Sequence, residues 1–258
     1  MSAFLQTILD EKRREVALLR HCRSEFHGRT SARRAFCASL DRRPHLGMIA
    51  EVKKASPSKG LIVRDFDHVS IGRTYERGGA SAISVLTDRM FFQGDTQYLT
   101  DVRAAVSLPV LRKDFIVDPL QVEETAHLNA DAMLLIAAAL SDAQMSELYA
   151  AAAERDVEVL IEVHNAEELD RTLALSPGLV GINNRNLSTF EVSLHTTVNL
   201  MGRMPTGVVA VSESGIFTVD DARTVRNAGV RAVLVGESLM RSADPAALIG
   251  ELTHAGAH

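Results

Sequence analysis

GMIAEVKKASPSKG, residues 47–60, decides the fold. It opens as a short apolar run containing Ile49 and Val52, then turns charged and polar and closes on one late glycine. A run of this length bounded by turn residues reads as a buried strand. Alternation along it puts Glu51 and Lys53 on one face, two residues apart. An open doubly wound sheet is expected to show a glycine fingerprint after an early strand, and EVKKASPSKG has none. Seven more runs follow: ASAISVL (80–86), LPVLRKD (108–114), DAMLLIA (131–137), VEVLIEV (157–163), LVGINN (179–184), GVVAVSES (207–214) and RAVLVGE (231–237). They recur about every 26 residues, one strand and one helix at a time. Near-continuous apolar strands in eight such units predict the α/β class, a closed parallel (β/α)8 TIM barrel over 47–258.

Residues 1–46 read as a helical extension of the same single domain. Phe4, Leu5, Ile8 and Leu9 recur at helical spacing, with Val16 and Leu19 beyond them. Ser31 is placed to cap a short second helix carrying Phe36 and Leu40. Between the strands, Asp118-Pro119 and Asp244-Pro245 mark helix starts, as do Ser141 with Gln144 and Asn165 with Glu168. Met145, Leu148, Tyr149 and Ala152 form the buried stripe of one such helix. Gly79, Asn129, Gly178 and Gly229 precede strands, where a left-handed residue ends a helix.

The chain has 258 residues, 46% hydrophobic and 24% charged, with a net charge of −5. That length suits one barrel, and that composition excludes disordered, collagenous and coiled-coil classes. No basic stripe offers a nucleic acid partner a footprint, whereas a small anion can still meet a locally basic site. Cys22 and Cys37 form neither a metal motif nor a disulfide framework, so a reducing compartment is expected. The N-terminus lacks an apolar signal core, and the apolar stretch Ala132–Leu140 is too short to span a bilayer. These features predict a cytoplasmic protein without membrane contact.

In such a barrel, chemistry sits at the C-terminal strand ends and in the loops after them. Those places hold Glu51, Lys53 and Ser56, then Lys113, Glu162, Asn183, Arg185, Glu213 and Ser214, and last Gly236 and Glu237. With the apolar faces inward, two lysines and three glutamates converge on one mouth, where each perturbs its neighbours' proton affinity. Arg112 and Asp114 have the opposite alternation and read as a supporting ion pair. SESGI (212–216) and VGESL (235–239) occupy the two loops that commonly hold phosphate, and Gly215 and Gly236 allow close backbone approach. His164 follows the fifth strand, where it could touch a ligand, but a capping or surface role is the stronger reading. Phe91 and Phe92 suggest an apolar wall for an aromatic ligand, or a small cluster under their loop. Neither the histidine spacing nor the carboxylates suggest a metal site.

IAEVKKASPSKG (49–60), FFQG (91–94), LRKDFIVDPLQ (111–121), DAMLLIAAAL (131–140), LIEVHNAEEL (160–169), GINNRNLSTFEV (181–192), VSESGI (211–216) and VGESLMR (235–241) together resemble the indole-3-glycerol phosphate synthase family of tryptophan biosynthesis. The resemblance covers essentially the whole chain. It implies ring closure of 1-(2-carboxyphenylamino)-1-deoxyribulose 5-phosphate to indole-3-glycerol phosphate, carbon dioxide and water, with no cofactor. It implies Lys113 as general acid, with Glu162 and Lys53 assisting dehydration and proton removal. Glu51, Asn183 and Glu213 would orient sugar hydroxyls and the lysines. Ser56, Ser214, Gly215, Gly236 and the N–H of Glu237 would hold phosphate, and Arg185 would help hold the substrate's anions. Phe92, Phe115, Leu134 and Leu187 would line the pocket for the anthranilate ring. Lys113 is expected to be acidified by burial and neighbouring cations. The substrate is an anionic sugar phosphate, and a monomer or weak homodimer is expected. Leu120 and Ser188 depart from residues common in the family at those positions. The alternatives are a phosphoribosylanthranilate isomerase-like enzyme, which relies on a cysteine at the first strand's end, and a non-catalytic phosphate-binding barrel.

Overall fold

The computed structural model describes residues 2–255, so Met1 and the last three residues of the expected 47–258 barrel lie outside it. Eight parallel strands close a barrel in chain order: β1 (Gly47–Val52), β2 (Ala82–Leu86), β3 (Val110–Lys113), β4 (Ala132–Ile136), β5 (Glu158–Val163), β6 (Leu179–Asn183), β7 (Val209–Glu213) and β8 (Ala232–Val235), which returns to β1. Ile49, Leu111, Leu134, Leu160, Val211 and Leu234 fill the interior with apolar side chains. Two residues further along β1, β3, β5 and β7 come Glu51, Lys113, Glu162 and Glu213. The apolar plug therefore ends where the charges begin. Register brings Glu162 level with Ile136 and Asn183 level with Glu213.

The opposite strand faces pack on the helices. Ile83, Val85 and Val110 meet Leu99 and Val102 of α5 (Thr96–Ala105) and Tyr75 of α3 (His68–Arg77). Met133, Ile161 and Val180 meet α6 (Pro119–His127), α7 (Asp142–Glu154) and α8 (Ala166–Leu173). Capping boxes open α6 at Asp118 with Gln121 and α7 at Ser141 with Gln144, while Asn165 caps α8. Asp244-Pro245 opens the C-terminal helix (Pro245–Thr253). Gly79, Asn129 and Gly229 adopt left-handed φ values of 88°, 60° and 105°. Gly178 does not. The chain turns sooner after α8, with Ser176 donating its N–H to the Leu173 carbonyl, and Ser176 takes the left-handed φ of 52°.

The extension begins with α1 (Ala3–Leu19), whose Phe4, Leu5 and Ile8 reach the barrel mouth. A 3-10 turn (Arg20–Glu25) leads down to the barrel floor and α2 (Phe36–Leu40). Ser31 does not cap α2. Its N–H and hydroxyl both donate to Asn129 Oδ1, and the helix starts five residues later. The free N–H groups of Phe36 and Cys37 donate instead to the Glu158 carboxylate, at 3.0 and 2.7 Å. This explains a polar residue at the start of an otherwise apolar strand. A small hairpin pairing Ala55–Ser56 with Gly60–Leu61 shapes the loop after β1. No helix among the described residues is long and apolar enough to cross a membrane.

The floor is tied by Asp131, which is fully buried. It accepts from Arg103 Nε at 2.8 Å and from the backbone N–H groups of Arg34 and Val110 at 2.7 and 2.9 Å. Removing one member of a buried pair strands the other's charge. Asp131→Ala is expected to lower unfolding free energy by about 3–5 kcal/mol, read as a lower urea midpoint with unchanged slope.

Candidate active site

Lys113 ends β3 with its side chain inside the barrel. Its Nζ lies 3.4 Å from Glu162 Oε2 on β5 and 3.4 Å from Glu213 Oε2 on β7. Glu51 on β1 completes the ring and pairs with Lys53 at 2.5 Å. Two glycines make room for these side chains. A Cβ on Gly181 of β6 would overlap Glu213 Oε1, and one on Gly236 would overlap Glu51 Oε2.

The three carboxylates set the proton inventory. Burial works against charge on Lys113, but Glu213, Glu162 and Glu51 outweigh it and hold the proton well above the ordinary lysine range. The expected acidification of Lys113 is therefore overturned: its neighbours are anions, not cations. Burial also disfavours ionised Glu162, yet Lys113, His164 and Asn183 keep it below the usual carboxylate range. Glu51 is likewise lowered, burial being outweighed by Lys53 and Lys113. Glu213 goes the other way. Burial, helped by Glu162 and Glu51, pushes it up to about 8, and its buried Oε1 has no hydrogen-bond partner.

Around this cluster the cavity gathers every catalytic and substrate-binding candidate named from the sequence. Phe92 and Phe115 face each other with ring centroids 6.2 Å apart, and Leu134 and Leu187 share their lining. Ser56, Ser214, Gly215, Gly236 and Glu237 line it too. Ser214 and Gly215 adopt successive left-handed φ values of 63° and 85°, a turn that glycine permits at little cost. Ser238 donates to the Ile216 carbonyl at 3.0 Å, joining the loops after β7 and β8. Asn183 Oδ1 accepts from the Arg185 N–H at 3.0 Å, shaping the loop that carries Arg185 and Leu187. Arg112 and Asp114 form the expected ion pair at 3.4 Å outside the barrel wall.

Five residues support the site in ways the sequence does not reveal. Phe4 of α1 packs edge-on to Phe91 and Phe190, at 5.9 and 5.5 Å, so the extension roofs the cavity. Phe91 thus belongs to a cluster under the loop while Phe92 faces the cavity. Lys12 of α1 is buried and pairs with Glu15, Asp88 and Asp114 at 2.8, 2.7 and 2.9 Å. Asp88 also caps α4 (Arg89–Phe92) by accepting from the N–H groups of Phe91 and Phe92. Buried Asn184 binds the Ser212 hydroxyl and the Glu213 and Ser214 carbonyls, holding β7's end in place. His164 is no surface residue: it stands between Glu162 and Glu168, at 3.2 and 3.0 Å. An apolar helix face in the extension is visible in sequence, but long-range partners such as Lys12–Asp114 leave no local trace.

Fold and site define a (β/α)8 barrel with a buried cluster of lysines and carboxylates between an apolar wall and a glycine-lined turn. The chain belongs to the indole-3-glycerol phosphate synthase family, whose model matches residues 5–252. It is 51% identical to the indole-3-glycerol phosphate synthase of Chromobacterium violaceum over 98% of both chains. It is also 57% identical to that of Geobacillus thermodenitrificans, over 82% of this chain and 83% of the relative. Identity to the Shouchella clausii protein is 51% over 93% of each.

Gly181→Ala is expected to displace Glu213 and cut turnover about tenfold or more, because the carboxylate cannot keep its place beside Lys113. Circular dichroism should be unchanged, and Glu213→Asp in the same chain should recover part of the loss by shortening the side chain.

Proposed function

We propose that the protein converts 1-(2-carboxyphenylamino)-1-deoxyribulose 5-phosphate into indole-3-glycerol phosphate, carbon dioxide and water. The observation that carries this reading is Lys113, fixed between Glu162 and Glu213 with Phe92 and Phe115 sharing the same cavity. Ring closure needs a flexible anilino-sugar folded so that its ring carbon meets its own ketone. An aromatic slot and a phosphate anchor restrict that freedom.

The anthranilate ring sits on Phe92, Phe115, Leu134 and Leu187. Phosphate is held by Ser56, Ser214, Gly215, Gly236 and the N–H of Glu237. Arg185 and Lys53 meet the negative charges. As the ring carbon bonds to the ketone carbon, Lys113 donates its proton to the ketone oxygen, giving a hydroxyl. Loss of carbon dioxide returns the bonding electrons to the ring and restores aromaticity. The hydroxyl then leaves as water with a proton from the lysines, and Glu162 takes the remaining proton as the indole double bond forms. Glu51 and Asn183 orient the sugar hydroxyls and Lys53, while Glu213 orients Lys113. The same reading makes the protein a cytoplasmic enzyme without a cofactor, acting as a monomer or weak homodimer.

The chain has no tryptophan, so indole emission is followed with little background. Wild-type protein should release one carbon dioxide per indole formed, and a mass-conserving isomerisation would overturn the assignment. Lys113→Ala and Glu162→Gln should each lower kcat by about 10²–10⁴ with the fold intact. Near-normal turnover in either variant would refute that residue's role.

A further inference from the structure

Lys113 meets two buried carboxylates at the same distance, 3.4 Å, yet only one of them can serve as a base while the other holds a proton. The asymmetry lies beyond the lysine. Glu213 Oε1 is buried against Gly181 without a partner. Glu162 Oε1 instead lies 3.2 Å from Nε2 of His164, which follows β5 on the same face of the chain. The other ring nitrogen, Nδ1, is 3.0 Å from Glu168 Oε2, and the His164 backbone N–H donates to that same oxygen at 2.8 Å. Glu168 is itself fixed. Its Oε1 accepts from Asn165 Nδ2 at 2.7 Å, and its N–H donates to Asn165 Oδ1 at the start of α8.

Nε2 makes no hydrogen bond, its 3.2 Å approach to Glu162 being an ion-pair contact, yet a carboxylate oxygen close to each nitrogen favours the cation, since the neutral ring would turn a lone pair toward an anion. The His164 side chain is only 10% exposed, so water screens neither contact well. We infer that His164, clamped by Glu168, is a positioning residue whose fixed positive charge decides which of the two carboxylates beside Lys113 acts as the base. This rests on the proposed ring-closure reading and deepens it. When Lys113 passes its proton to substrate it ceases to be a cation, and Glu162 keeps one only through His164. Without that second cation, Glu162 would take up the proton it is meant to collect later. Lys113, Asn183, Glu213 and Glu51 face Glu162 from β3, β6, β7 and β1, and of these only Lys113 is a cation. His164 itself is faced by Glu162 and Glu168; they outweigh its burial and push its proton affinity up to about 10.

The test is the pH profile of kcat for wild type, His164→Gln and Glu168→Gln. Loss of the cation raises the proton affinity of Glu162, so the acid limb should move to higher pH, by about one unit in His164→Gln. Glu168→Gln should move it the same way by less, with KM changed less than about threefold in both. A His164→Gln limb superimposed on wild type would overturn the inference. A second measurement needs no variant: nitrogen NMR of histidine-labelled wild-type protein should find both His164 nitrogens protonated at pH 8, and a neutral tautomer there would overturn it. Wild-type protein that forms no indole would defeat the proposed reaction instead, while the NMR result would still judge His164.

Discussion

The burial of one ammonium group, Lys113, constrains everything around it. A lone charge in that position would be prohibitively costly, so anions must follow it into the barrel. Three do, and three carboxylates around one lysine would overcompensate if all were ionised. Lys53 offsets one of them, and Glu213 resolves the rest by keeping its proton up to about 8. At neutral pH Lys53 and Lys113 then balance Glu51 and Glu162, and His164 balances Glu168. The cluster is neutral at rest and finely divided in sign, so a small displacement of charge by substrate redistributes protons without flooding the site with uncompensated charge.

The scaffold supports this arrangement from two sides. From below, apolar side chains fill the barrel to the level of Leu111 and Leu160, so the cluster rests on an apolar floor. From above, α1 spans the mouth. Lys12 joins that roof to Asp114, the neighbour of Lys113, and to Asp88, which caps the turn carrying Phe92. Asp114, its carboxyl held at about 2 by Lys12 and Arg112 against burial, is an anion throughout the working range. The roof, the aromatic wall and the strand end that carries Lys113 thus share one buried ionic network. Such networks contribute little net stability but strongly penalise partial assembly. An extension docked out of register would leave Lys12 or its carboxylates stranded.

The barrel was legible because strand alternation is a local signal repeated eight times. The inward charges were legible for the same reason: Glu51, Lys113, Glu162 and Glu213 each stand two residues beyond an apolar position on the same face. What escaped was whatever depended on partners distant in the chain. Lys12 reads as one more charge in DEKRRE, and Asp88 as a loop residue. Glu158 is a lone charge at the start of an apolar strand in the sequence, and only the placement of α2 across it gives it partners. The sign of the Lys113 shift also escaped. Burial alone lowers a lysine's proton affinity, and only the positions of three glutamates reverse that. His164 was misjudged because a histidine one turn before a glutamate has an ordinary capping explanation, and in fact Glu168 both meets that need and orients the ring.

In the proposed reaction a lysine that grips its proton so firmly would still be a competent acid, and the reason lies in the acceptor. A ketone oxygen is a very weak base, so an acidic lysine would gain nothing by protonating it before carbon–carbon bonding. As the ring carbon attacks, that oxygen becomes an alkoxide, a far stronger base than any amine, and takes the proton from even a well-stabilised ammonium. Donation is therefore confined to the moment when charge develops, where stabilisation accelerates the step rather than merely tightening binding. The surrounding glutamates cost Lys113 some acidity but hold its Nζ in place. The ionised Glu162 on the other side does not intercept the exchange while a second cation satisfies it. In the proposed reaction position and timing, more than a lowered proton affinity, would make Lys113 the donor.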